Sequence, residues 1–181
     1  MKTRETNRGS ETGGHPAQIA YAIASCSLGA VLVATTDAGV CALLLGDSEE
    51  ALVAELGKRF PAGAIRSDAE RLEPWLRNAV ALVERPANGF DAPLDARGTD
   101  FQRRVWQALR EIPAGSTATY TEIAEQVGRP RSVRAVAAAC AANPLAIAVP
   151  CHRVVRGDGN LAGYRWGSER KRALLAREAV A

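Results

Sequence analysis

The stretch "TYTEIAEQVGRPRSVRAVAAACAANPLAIAVPCHRVV", residues 119–155, decides how the chain is read. Thr119 and Glu122 stand at capping-box spacing, so a short helix opens at Tyr120 and runs to Val127. Gly128 stops it. After "RPR", a second helix starts at Arg131 or Ser132 and runs to about Ala142, where Asn143–Pro144 breaks it. A short helix, a glycine turn and a second helix form a helix-turn-helix pattern. The second helix is thin, "AVAAACAA" over residues 135–142. Such a helix either packs tightly in a core or closely approaches another surface. The apolar run "LAIAV" then reads as a buried strand. Pro150 takes the backbone out of the ladder and leaves Cys151, His152 and Arg153 at the strand end.

Upstream, "QIAYAIASC", "GAVLVATTD" and "GVCALLLGD" alternate like strands, with hairpin-like turns at Ser27–Gly29 and Asp37–Gly39. Asp47 or Ser48 caps a helix through about Lys58, and "AGAIRSD" suggests a short strand. Residues 68–84 read as an amphipathic helix with Leu72, Leu76, Ala79, Val80 and Val83 inward. A Gly, Pro and Asn-rich linker follows from Pro86 to Pro93. Thr99 caps a further helix through Glu111 that buries Phe101, Val105, Trp106 and Leu109. The expected division is a polar tail over residues 1–16, an αβ unit over 17–92 and a mostly helical unit over 93–181.

Charge divides the same way. Residues 1–100 hold 10 Lys+Arg against 14 Asp+Glu, while residues 101–181 hold 13 against 6, and twelve of those 13 are arginine. The planar guanidinium fork suits phosphate, so the basic half points to a polyanion partner. No apolar run approaches the length of a membrane span. The N-terminus lacks a signal-like apolar region, which points to a reducing cytoplasm. The four cysteines include no CxxC pair, and only His15 and His152 could serve as imidazole ligands, so a zinc site is poorly supported.

A free cysteine is most often a small buried hydrophobe, the natural reading of Cys26, Cys41 and Cys140. Cys151 differs. His152, Arg153, Arg156 and Arg165 lie close in sequence, which favours the thiolate and points its pKa downward. Neighbours on a strand face opposite ways, so a water or a turn must link thiol to imidazole.

"PCHRVV", preceded by "AANPLAIAV" and followed by "GYRWG", resembles the active-site signature of the O6-alkylguanine-DNA alkyltransferases, the methylated-DNA–protein-cysteine methyltransferases. The resemblance extends over about residues 18–179 and is nearest the methyltransferase half of the bacterial adaptive-response (Ada) proteins, without a counterpart of their zinc-bearing half. It implies a mixed α/β (α+β) fold, with an RNase H-like N-terminal αβ domain and a winged-helix-like C-terminal domain.

The resemblance also implies a mechanism. Cys151 attacks the alkyl carbon on guanine O6 in one in-line displacement. His152 acts as base through a water, and Glu178 orients and charge-stabilises the imidazole. The product is a thioether, so each protein acts once. The helix-turn-helix enters the minor groove of double-stranded DNA, with Ala135 on its thin helix and Arg131 at its start. Arg134 replaces the flipped base, Tyr120 pushes on the target phosphate and Asn143 ties the recognition helix to the active-site turn. The carbonyls of Cys151 and Val154 take the guanine amine, and Tyr164, Arg165 and Trp166 wall the pocket, the tryptophan narrowing it to small alkyl groups. Pro150 and Arg153 hold the turn. The expected protein is a cytoplasmic bacterial monomer that needs no metal or cofactor and meets no membrane, with O4-methylthymine open as a second substrate. The alternatives are a non-catalytic lesion binder, which Cys151 argues against, a cysteine hydrolase, for which no oxyanion loop is evident, and a helix-turn-helix regulator, whose second helix should carry base-reading side chains.

Overall fold

The computed structural model describes residues 18–161 and 163–180; the expected tail over residues 1–16 lies outside them. Strands β1 (Gln18–Cys26), β2 (Gly29–Thr36) and β3 (Gly39–Gly46) form an antiparallel meander. β4 (Ala64–Ser67) pairs parallel with β1, giving the order β3-β2-β1-β4. Apart from their end residues, β2 and β3 are buried throughout, as unbroken apolar runs covered on both faces must be. α1 (Glu49–Arg59), capped by Ser48, packs on β3 and β2. α2 (Ala69–Glu84), capped by Asp68, packs on β1 and β2 through Leu72, Ala79, Leu82 and Val83, with Leu76 and Val80 half-buried at its margin.

The second unit opens with α3 (Asp100–Arg110). Thr99 accepts from the Gln102 amide at 3.2 Å while the Gln102 side chain accepts from the Thr99 amide at 2.9 Å, so both orphan donors are satisfied. The same reciprocal pair, Thr119 with Glu122, opens α4 (Tyr120–Gln126). Gly128 turns the chain at φ +70°, and α5 (Val133–Ala142) follows. Trp106 Nε1 donates to the Ala139 carbonyl at 2.9 Å and locks α3 to α5. Gly98 is required beside it, because a Cβ there would stand 2.6 Å from the indole ring. β5 (Ala118–Thr119) and β6 (Val154–Val155) form a small parallel pair, and α6 (Ser168–Glu178) closes the chain.

The run at 145–149 is not a strand, which corrects the sequence expectation. It makes only isolated bridges, Leu43 to Leu145 and Ala146 to Val149, and Ile147 lies in the left-handed region at φ +65°. A proline start and that reversal fold the run on itself while keeping it buried; short apolar runs do not reveal their backbone path. The sheet still holds it: Leu43 N donates to Pro144 O at 2.9 Å, and Ala146 N to Leu43 O at 2.8 Å. The linker is held likewise, with Val40 N donating to Pro93 O and Asp95 N to Val40 O, both at 2.8 Å. One apolar cluster therefore spans both units. Among the described residues no helix is long and apolar enough to cross a membrane.

Candidate active site

Cys151–Arg153 form a single 3-10 turn after Pro150, not a strand end. The turn removes the pleat that would have pointed thiol and imidazole apart. Cys151 is buried at the base of a cavity of about 640 Å³ whose wall includes Tyr120, Arg134, Cys140, Arg156, Tyr164 and Arg165. The exposed outer side of α5 presents Arg134, Ala135 and Ala138, while Val136, Ala139 and Cys140 face inward. The thin helix thus serves both readings of its alanines: one side is core and the other is open to a close approach. Arg131 is exposed on the turn before α5 and does not reach the cavity.

Beneath the thiol lies a buried ionic group. His152 is fully buried, and its Nε2 stands 2.8 Å from Glu178 Oε1. Arg153 Nε donates to the same carboxylate at 3.0 and 3.2 Å, its Nη2 donates at 2.9 Å, and its Nη1 reaches the Ile112 carbonyl at 2.6 Å. Gly115 N adds a bond to Glu178 Oε2 at 3.3 Å. Burial alone would raise the Glu178 carboxyl, but the hydrogen bonds from His152 and Arg153 outweigh it and hold the group at about 2. Burial lowers the His152 pKa, against the pull of Glu178, so the imidazole is neutral near pH 7. With Nε2 donating to the carboxylate, Nδ1 carries the lone pair, and Nδ1 is buried without a partner among the described residues.

Asn143 holds the thiol from the other side. Its Nδ2 donates to the Val149 carbonyl at 2.8 Å and lies 3.3 Å from Cys151 Sγ, while its Oδ1 accepts from Leu145 N at 2.9 Å. It also ends α5, so one amide joins that helix to the thiol. Lys171, fully buried on α6, donates to the Val154 carbonyl at 2.5 Å.

The thiol corrects a second expectation. Burial pushes the Cys151 pKa up to about 11, despite the opposing Asn143 hydrogen bond and the charge of Lys171. Basic neighbours in sequence are not neighbours in effect, because Arg153 is committed to Glu178 and Ile112, and Arg156 and Arg165 lie at the cavity wall. The group is therefore a protonated thiol near neutral pH.

Two pocket expectations change as well. Trp166 does not line the cavity; it is buried behind Tyr164, edge-on to it at 5.2 Å between ring centroids, and shapes the pocket only through that tyrosine. The Val154 carbonyl already accepts from Lys171, so any bond to a base amine uses its second lone pair. Tyr120 is half-buried in the wall, its phenol pushed up to about 12 by burial. The sequence reading did not single out Lys171 or the places of Arg156 and Cys140 in the wall. The signal for Lys171 was present: Lys171, Leu174 and Glu178 fall at i, i+3 and i+7 on one helix face. Among the described residues no cluster of three or more His, Cys, Asp or Glu could hold a metal ion.

The chain is similar to known proteins over most of its length. The sequence model described as "6-O-methylguanine DNA methyltransferase, DNA binding domain" matches residues 100–180. The bifunctional transcriptional activator/DNA repair enzyme Ada of Escherichia coli is 50% identical over 167 residues, covering 92% of this chain and 47% of the Ada sequence. The chain thus spans about half the length of that relative. A probable methylated-DNA–protein-cysteine methyltransferase of Acanthamoeba polyphaga mimivirus is 57% identical over 113 residues, 60% of this chain and 74% of its own length. The crystal structure of Mycobacterium tuberculosis OGT in complex with DNA superposes with a TM-score of 0.71 at 36% identity, covering 89% of this chain and 93% of that one. By this similarity, and with the signature cysteine seated at the base of the cavity, the chain belongs to the methylated-DNA–protein-cysteine methyltransferase family.

Proposed function

We propose that the protein repairs O6-alkylguanine in double-stranded DNA by moving the alkyl group to Cys151, once per molecule. The observation that carries this is a buried thiol at the base of a cavity whose wall includes Arg134 of the helix-turn-helix. A new S–C bond forms as the O6–C bond breaks in line. The thiol proton passes toward His152 Nδ1 through a water, and the departing guanine regains a proton, so a hydrogen replaces the alkyl group on the base. Glu178 supports the imidazolium that forms.

Guanine O6 is stacked inside the duplex and reaches the thiol only if the nucleotide flips, at a cost on the order of a few kcal/mol. α5 presents small residues to the minor groove, Arg134 fills the vacated stack, Arg131 contacts the backbone and Tyr120 presses on the target phosphate. Residues 17–92 form the scaffold, and 93–181 carry DNA binding and chemistry. The protein acts as a monomer, and a thiol nucleophile is kept reduced in the bacterial cytoplasm, where we place it.

Intact-protein mass spectrometry after mixing with excess O6-methylguanine duplex tests the reading. One added methylene, about 14 Da, should appear on Cys151 and be absent in Cys151→Ala. Tight binding to the duplex with unchanged mass would instead identify a lesion binder.

The pH dependence tests the proton path. If the thiolate formed beforehand, transfer would quicken about tenfold per pH unit up to the thiol's value of about 11. With His152 taking the proton in the transition state, the single-turnover rate should be flat from about pH 7 to 9 and fall only below the ordinary imidazole value of 6.5. A tenfold rise per unit across pH 7–9 would remove His152 from the path.

A further inference from the structure

The wall of the alkyl pocket is held from outside the C-terminal unit. Arg165 lines the pocket on one side and a second groove against α1 on the other. Its Nη1 donates to the Ala141 carbonyl at 3.2 Å, and its Nη2 pairs with Glu55 Oε1 on α1. The same oxygen accepts from Arg59 Nε at 2.9 Å, and Arg59 Nη1 donates to the Ala142 carbonyl at 3.2 Å. One carboxylate therefore gathers two guanidiniums, and each guanidinium also caps a carbonyl in the last turn of α5. That end of the helix carries the negative pole of its dipole, so two cations are favourably placed there. Without Glu55 the two guanidiniums would face each other without a carboxylate between them; burial and, after it, the charge of Arg165 lower the Arg59 pKa.

We propose that Glu55 is a positioning residue for alkyl transfer: by clamping Arg165 against the end of α5, it fixes the Tyr164–Arg165 wall relative to the helix that carries Arg134. The inference rests on the alkyl-transfer reading above. Arg165 stands between Tyr164, in the wall, and Trp166, whose ring braces that tyrosine. Releasing Arg165 loosens both neighbours, while none of the clamp's own hydrogen bonds reaches the thiol, His152 or Arg134. The clamp therefore governs how well a flipped base is held and how large an alkyl group is admitted, with little effect on how tightly DNA is gripped.

Single-turnover methyl transfer is measured for wild type, Glu55→Gln, Glu55→Ala, Arg165→Ala and the Glu55→Ala/Arg165→Ala double variant, with Glu73→Ala on the exposed side of α2 as control. Each is titrated with methylated duplex to separate the maximal rate from the half-saturating concentration, and each is also reacted with free O6-benzylguanine. The expected result is a maximal rate about tenfold lower in Glu55→Ala, a half-saturating concentration within about twofold of wild type, and a benzyl-to-methyl rate ratio that rises. Glu55→Gln should fall between, and the double variant should match Arg165→Ala, because both changes act through one contact. Wild-type rate and selectivity in Glu55→Ala, or additive losses in the double variant, would overturn the clamp. A wild-type protein that takes no methyl group from the duplex would overturn the parent reading and the clamp with it.

Discussion

Glu178→Ala is expected to destabilise the protein by about 3–5 kcal/mol and to abolish detectable methyl transfer, because it strands a buried guanidinium and removes the partner of a buried imidazole. Arg153 keeps only its bond to the Ile112 carbonyl, and His152 loses the acceptor that fixes its tautomer. Urea unfolding of wild type and variant measures the first effect; rapid-quench transfer at a denaturant-free pH 7.5 measures the second. Glu178→Gln separates the two, since it keeps the shape and the acceptor oxygen but not the charge. That variant should fold more nearly like wild type and still transfer slowly.

The pH dependence of stability follows with a definite sign. The Glu178 carboxyl is held at about 2 in the fold against an ordinary value of 4.5, so its contribution is present above about pH 4.5 and drains away as pH falls toward 2. His152 acts in the same direction: its folded pKa lies below 6.5, so the unfolded chain binds the proton first as pH drops through that value. The wild-type stability curve should decline on acidification from about pH 6.5, and the Glu178→Ala curve should decline less steeply below pH 5. Parallel acid limbs would mean that the carboxylate is not the charge being titrated.

Asn143→Leu is the second large effect. The side chain is fully buried and satisfies the Val149 carbonyl, the Leu145 amide and the thiol at once. Leucine fills similar space but strips the Leu145 amide of its acceptor and leaves the Val149 carbonyl with only the bond from Cys151 N, a loss on the order of 1–3 kcal/mol. It also removes the hydrogen bond that most opposes the upward push on the Cys151 pKa. Iodoacetamide labelling of Cys151 across pH 8–11 should therefore slow at every pH and shift its midpoint upward. Unchanged labelling with lowered stability would confine Asn143 to the architecture.

Much of this was readable from residues alone, wherever the determining interactions are local. Thr119 and Glu122 announced α4 because a capping box is closed within four residues, and Thr99 announced α3 in the same way. The strand run failed at Ile147, where backbone reversal is imposed by contacts with β3 and not by the side chain. The direction of the Cys151 pKa failed because charge near in sequence was weighed against burial that only the tertiary fold creates. His152 and Glu178, 26 positions apart, met only through the family signature; spacing alone gave no reason to pair them. Trp166 was given to the pocket by the family resemblance, yet on an irregular segment adjacent side chains turn to different sides.

The four backbone hydrogen bonds that tie Pro93, Asp95, Pro144 and Ala146 to β3 bear on the order in which the molecule can become competent. α3 and α4 carry their own capping boxes and can form early. The segment that delivers the nucleophile cannot, because the left-handed turn at Ile147 and the approach to Cys151 are held by an edge of the N-terminal sheet. Excising the second unit would thus leave the thiol unanchored. On the proposed reading, grip on the double helix is separable in this architecture, whereas reactivity is jointly owned by both halves.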